Sequence, residues 1–233
     1  MAEAGAQVSV AARNEAQVVE VATRLRERGY EAFAFRCDVI KPRDIRNLTL
    51  SAREAMGRID ILVNSAATAT SNSLGRITLG EWEHIIAVNA TGTFLATQSV
   101  FDEMVADRWG RIVNIAAITG LEGGRYVAAH AAAEHAVVGF TKAVAAEAVG
   151  TGVTANAVCP GYVDTPLTNE TIERIMRHKE RSREDALRTL LDQAGQSALI
   201  PAEDVATAIV ELCADGSAER NGELVILDGK GGG

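Results

Sequence analysis

The feature that most limits what this chain can fold into is the regular alternation of short β-rich runs with longer segments of helical spacing. Gln7 to Ala12 reads as a strand, and Glu15 to Arg28 as a helix stopped by Gly29. Glu31 to Arg36 is the next strand, Asp44 to Met56 the next helix, and Ile59 to Val63 a buried strand. Trp82 to Val105 predicts one long helix, Arg111 to Ala116 a strand, and Tyr126 to Val149 a second long helix. Val153 to Val158 and Glu223 to Leu227 are the remaining strands. Strands that alternate with helices form a mostly parallel sheet covered on both faces by right-handed crossovers. With 233 residues, 47% of them hydrophobic, the chain is sized for a single α/β domain spanning 1–233.

The formal net charge of −8 argues against a broad basic surface, so neither nucleic acid nor an anionic membrane is an expected partner. Cys37, Cys159 and Cys213 are scattered thiols without a Cys-x-x-Cys pair, which fits a reducing compartment and gives no metal framework. Met1 to Gln7 lacks a basic start followed by an apolar core, and no apolar run approaches the ~18 residues of a membrane span. A cytoplasmic location is the expectation.

Several short motifs follow the strands in a fixed order. Asn64-Ser65-Ala66-Ala67 follows the third strand, Asn89 lies in Val88-Asn89-Ala90-Thr91-Gly92, and Asn156-Ala157-Val158-Cys159-Pro160-Gly161 precedes Thr165-Pro166. With Ala129 to Lys142, which ends in Gly139-Phe140-Thr141-Lys142, they resemble the short-chain dehydrogenase/reductase family over nearly the whole chain. The resemblance implies a Rossmann-like doubly wound fold and a lid-like segment at 167–199. That segment carries Arg174, Arg177, Lys179, Arg181 and Arg183, cations read mainly as part of a solvated helical face of mixed charge.

The resemblance also shows what differs. The family opens with a strand and a Gly-rich turn that receives the cofactor pyrophosphate. Here Met1 to Ala6 resembles the end of the first helix, so the usual first strand and Gly-rich turn are lacking. Three arrangements are open: a start that lies upstream, direct pairing of the strands flanking the gap, or a strand supplied by another chain. On this basis no cofactor is expected in this chain, with NAD or NADP held by a partner subunit. Arg13, Asp38 and Asn64 are vestiges of a cofactor site in this reading, Asp38 serving instead as a helix N-cap.

The reactive positions are changed too. His130, Glu134 and Ala117 stand where the family has tyrosine, lysine and serine, while Asn89 matches the asparagine that supports its proton relay. A carboxylate at Glu134 would favour a protonated His130, reversing the electrostatics that sustain a phenolate. His130 and Glu134 share a helix face and could form an acid/base pair, whereas His135 points elsewhere. Tyr126 is assigned to packing or a loop, and His84 and His178 to solvated helices. No metal site is expected.

The sequence thus reads as a non-catalytic homologue that serves as structural or regulatory subunit of a hetero-oligomeric oxidoreductase, resembling the inactive subunit of a family member with paired unlike subunits that oxidises a CoA thioester substrate. Its expected partner is an intact short-chain dehydrogenase/reductase subunit, contacted through Ala136 to Val149 and the last strand in a dimer or tetramer. Two alternatives stand beside it: an active NAD(P)-dependent dehydrogenase or reductase of an alcohol, ketone or hydroxyacyl-CoA, and a ligand-sensing binding module.

Overall fold

A computed structural model describes residues 1–179 and 182–230. Arg181, counted among the lid cations, lies outside the described residues, as do the side chains of His178 and Lys179. The strands are β1 (Val8–Ala12), β2 (Ala32–Arg36), β3 (Ile61–Asn64), β4 (Gly110–Ile115), β5 (Val153–Pro160) and β6 (Leu224–Leu227). The α-helices are α1 (Glu15–Glu27), α2 (Pro42–Met56), α3 (Leu79–Ile85), α4 (Gly92–Ala106), α5 (Ala128–Glu147), α6 (Pro166–Lys179), α7 (Arg183–Ala194) and α8 (Ala202–Cys213). Asn14 caps α1 by accepting from the Gln17 N–H, and Gly29, at φ 86°, supplies the left-handed backbone that ends the turn after it.

All strand pairs are parallel, in two sheets: β1 with β2, and β3-β4-β5-β6. β4 and β5 are buried almost throughout, and successive β4 side chains face opposite layers. Ile112 joins Val100, Met104 and Val144 of α4 and α5, while Val113 joins Ala208 and Leu212 of α8. Both faces of the sheet are therefore covered, and even the polar Thr154 and Asn156 of β5 are buried.

Among the described residues β1 and β3 do not pair, so direct closure of the sheet is not what forms. The reason lies in the helix layer. α2 packs on both β2 and α4, and α4 packs on β3, so two adjacent helices span both sheets. Packed helix axes lie about 8–10 Å apart, roughly twice the spacing of hydrogen-bonded strands, so this layer holds the flanking strands too far apart to bond.

Other departures are local. The expected helix from Trp82 starts at Leu79 and contains a π-helical stretch, Ile86–Thr91, between α3 and α4. α5 starts at Ala128 because Tyr126, at φ 68°, cannot be helical. Asp38 is not an N-cap: α2 begins at Pro42 with Lys41 before it, and the Asp38 N–H donates to Asp44 Oδ2. The segment 167–199, expected to be lid-like, carries most of α6 and all of α7, and α8 has no counterpart among the expected helices.

Gly120 sits under α5, where an added Cβ would lie 2.8 Å from the Glu134 carbonyl oxygen. Gly120→Ala must push the helix away, and its thermal unfolding should show a loss of about 1–3 kcal/mol.

Candidate active site

The motif residues converge at the carboxyl ends of the parallel strands, where open α/β sheets bind ligands. Arg13 and Asp38 lie just beyond β1 and β2, whose last residues Ala12 and Arg36 are register partners. Asn64 ends β3, and Ala117 follows β4. His130 and Glu134 stand one turn apart near the start of α5.

Asn89 organises the centre. The π-helical stretch turns it inward until only 2% of it is exposed, and single π turns of this kind recur at functional sites. Its Oδ1 accepts the Thr68 N–H at 2.9 Å, and its Nδ2 donates to the Thr68 carbonyl at 3.1 Å and to Glu134 Oε1 at 2.6 Å. Nδ1 of His130 lies 3.5 Å from Asn89 Nδ2 and 3.6 Å from Glu134 Oε1. One amide thus ties the wall at Thr68 to both residues that replace tyrosine and lysine.

Burial governs the protonation of this cluster. It pushes the Glu134 carboxyl up to about 7, against the opposing Asn89 donor. Burial likewise holds His130 below its usual range, the Thr68 carbonyl opposing the shift. The expectation that Glu134 would charge His130 is therefore corrected: loss of hydration outweighs mutual attraction at 3.6 Å, and each group favours its neutral form.

The remaining sequence candidates separate clearly. The Asn64 amide is committed to Thr97 and Asn114, at 3.2 and 2.8 Å, and so holds β3 to α4 and β4. Arg13 is exposed. Asp38 Oδ1 is buried without a hydrogen-bond partner, although Lys41 lies 3.4 Å from Oδ2. Tyr126 is exposed, its ring stacked with Arg125 and its carbonyl accepting the Asn72 N–H. His84 and His135 are exposed, His135 contacting the Ala131 carbonyl through Nδ1. Among the described residues no group of three or more His, Cys, Asp or Glu side chains could hold a metal ion.

Sequence reasoning missed two neighbours of the cluster and one buried hydroxyl beyond Ala117. Thr68 contributes through its backbone, which no side-chain pattern announces. Cys159 lies close enough for Glu134 to reinforce the burial that lifts its thiol to about 11. Thr119, two residues after Ala117, carries a buried hydroxyl without a partner.

The sequence profile described as short chain dehydrogenase matches residues 1–175. The chain belongs to that family. It is 33% identical over 220 residues to granaticin polyketide synthase putative ketoacyl reductase 1 of Streptomyces violaceoruber, covering 94% of this chain and 81% of that one. It is 30% identical to a 3-oxoacyl-[acyl-carrier-protein] reductase of Aquifex aeolicus, covering 98% and 88%. Among solved structures it is similar to a single-site variant of actinorhodin polyketide ketoreductase with NADPH, with TM-score 0.93, 32% identity, and coverage of 100% of this chain and 90% of that one.

These matches overturn the expectation that no cofactor belongs to this chain. Its whole described fold is shared with a dehydrogenase-family ketoreductase whose structure contains NADPH, and the unpartnered Asp38 oxygen at the same strand edge fits that finding. Among the described residues no helix is long and apolar enough to cross a membrane.

The raised Glu134 pKa carries a pH signature. A carboxyl whose folded pKa lies above its unfolded value of about 4.5 contributes its full stability below that pH, and loses it as pH rises through about 7. Glu134→Gln stays neutral and keeps an acceptor for Asn89. Urea unfolding should therefore show the variant gaining on the wild type by up to about 3 kcal/mol between pH 4.5 and pH 8, the gain rising with pH.

Proposed function

We propose that this chain is an NAD(P)-linked reductase of carbonyl compounds, with 3-oxoacyl thioesters as its substrate class, and that His130 backed by Glu134 handles the proton. Membership of the family and the ketoacyl reductase names of its relatives support the reaction class. The observation that carries the proton assignment is the compact Asn89, Glu134 and His130 cluster, with Glu134 bonded to Asn89 at 2.6 Å and set 3.6 Å from the imidazole.

The residues at the strand edge fit the adenosine end of a dinucleotide. Asp38 Oδ1 matches an amino donor of adenine, and Arg13 would meet a phosphate. The described residues hold no glycine-rich strand-to-helix turn, so this fit concerns that end alone. When bound, the nicotinamide supplies the hydride. His130 donates a proton to the substrate oxygen on which charge develops. Glu134, still about half protonated near pH 7, replaces the proton at Nδ1. Asn89 fixes the carboxyl, while Ala116, Val137 and Cys159 form an apolar cluster where α5 meets β5.

A second reading is favoured by a specific observation: Ala117 has no hydroxyl for the substrate oxygen, and a buried carboxyl occupies the position of the family's lysine. In that reading the chain is a non-catalytic subunit, similar to the inactive subunit of the (hydroxybenzyl)succinyl-CoA dehydrogenase of anaerobic toluene degradation. It would meet an intact subunit through exposed positions such as Val149 after α5 and Ile226 of β6.

Oxidation of NADPH and NADH by the purified chain with acetoacetyl thioester separates the two. Turnover is expected from the chain alone, reduced ~100-fold or more in His130→Ala. The wild-type rate should fall as pH rises through about 7, and Glu134→Gln should lose that dependence. Turnover that appears only on mixing with an intact relative selects the subunit reading.

Cofactor affinity offers an independent check. Asp38→Ala should weaken NADPH binding about tenfold in calorimetry while leaving the melting temperature unchanged or slightly raised, because it removes a buried acceptor left unpaired in the free protein.

A further inference from the structure

We propose that this chain catalyses proton exchange at a carbon next to a carbonyl, with the His130 imidazole as base, in a reaction that uses no nicotinamide. The proposal rests on the reading of the His130 cluster as a carbonyl-binding site, and extends it to chemistry that the family's tyrosine and lysine do not offer in this form.

Three observations carry it. The imidazole is the member of the cluster that a substrate can touch: its side chain is 16% exposed, against 3% for Glu134. Burial keeps that imidazole neutral, so a nitrogen lone pair is free at neutral pH. Glu134 lies 3.6 Å from Nδ1, where a carboxylate stabilises the imidazolium created by taking a proton. Of the groups around this pair, Cys159 of β5 stays protonated, since burial lifts it to about 11, and Thr68 and Asn89 do not titrate.

The step balances without an oxidant. The bond from the α-carbon to hydrogen breaks, and its electron pair forms the carbon–carbon double bond of an enolate as the carbonyl electrons move onto oxygen. The proton forms an N–H bond on His130. Return of a solvent-derived proton to the α-carbon restores the carbonyl compound and the free base. Suitable substrates are ketones and thioesters whose α-hydrogen is acidified by a second carbonyl, as in 3-oxoacyl thioesters.

The test is hydrogen–deuterium exchange at C2 of acetoacetyl N-acetylcysteamine thioester in D2O, followed by NMR with the full chain and no nicotinamide. Exchange at least about tenfold above buffer is expected, and His130→Gln, checked for folding by circular dichroism, should remove the excess. Glu134→Gln should lose the rise in rate through about pH 7, a change that a packing role alone would not produce. Exchange no faster than buffer, or a folded His130→Gln as active as the wild type, overturns the proposal. If both variants unfold, the wild-type profile decides: an excess rate that does not fall in acid, where imidazole is protonated, overturns it as well. Reduction of the same thioester by NADPH is scored separately. Exchange without reduction defeats the reductase reading and leaves this one standing, and reduction without exchange does the reverse.

Discussion

The site depends on one side-chain amide. Asn89 has two donor hydrogens and one acceptor oxygen in play, and all are used: two bonds to the Thr68 backbone and one to Glu134. Because the Thr68 loop has no regular structure of its own, its path beside His130 is set by those two bonds. Because Glu134 is a buried acid, its orientation is set by the third. Replacing such an amide would leave both a backbone pair and a carboxyl without partners, which costs more than any single hydrogen bond contributes. The π-helical stretch that turns Asn89 inward is therefore part of the site rather than an irregularity of the helix.

Burial then decides the chemistry. A histidine and a glutamate one turn apart suggest an ion pair, and in water their attraction would favour charge on both. In the interior each charge loses its hydration, and a single contact at 3.6 Å does not restore it. The result is a carboxyl whose pKa burial raises to about 7 beside an imidazole whose pKa burial lowers. Where the family resemblance implies a phenol whose pKa a cation lowers, burial here raises the pKa of an acid.

Much of the fold was legible because strands and helices carry different periods. Gln7 to Ala12, Glu31 to Arg36 and Arg111 to Ala116 fall within a residue or two of β1, β2 and β4. The placing of His130 and Glu134 on one helix, a turn apart, was legible too, from their spacing to Gly139-Phe140-Thr141-Lys142. What sequence could not show was the local backbone. No residue type marks the π-helical stretch at Ile86–Thr91, and nothing before Ala128 distinguishes a helical Tyr126 from one at φ 68°. Protonation was misread for a related reason: charge pairing is visible as spacing, but desolvation depends on what packs over the pair.

Among the described residues no strand bonds join Arg13 and Asp38 to the cluster at His130, so something other than the sheet must position one against the other. The helix layer supplies the link. α2 follows β2 and packs on α4, and α4 continues directly from the stretch that carries Asn89. At the contact, Gly92 opens α4 so close to Val39 that an added Cβ would fall 2.8 Å from its Cγ2. Val39 is the neighbour of Asp38, and Gly92 lies three residues from Asn89. A glycine at this point therefore lets the edge at Asp38 and the cluster at Asn89 approach through side-chain packing, where a continuous sheet would have joined them through hydrogen bonds.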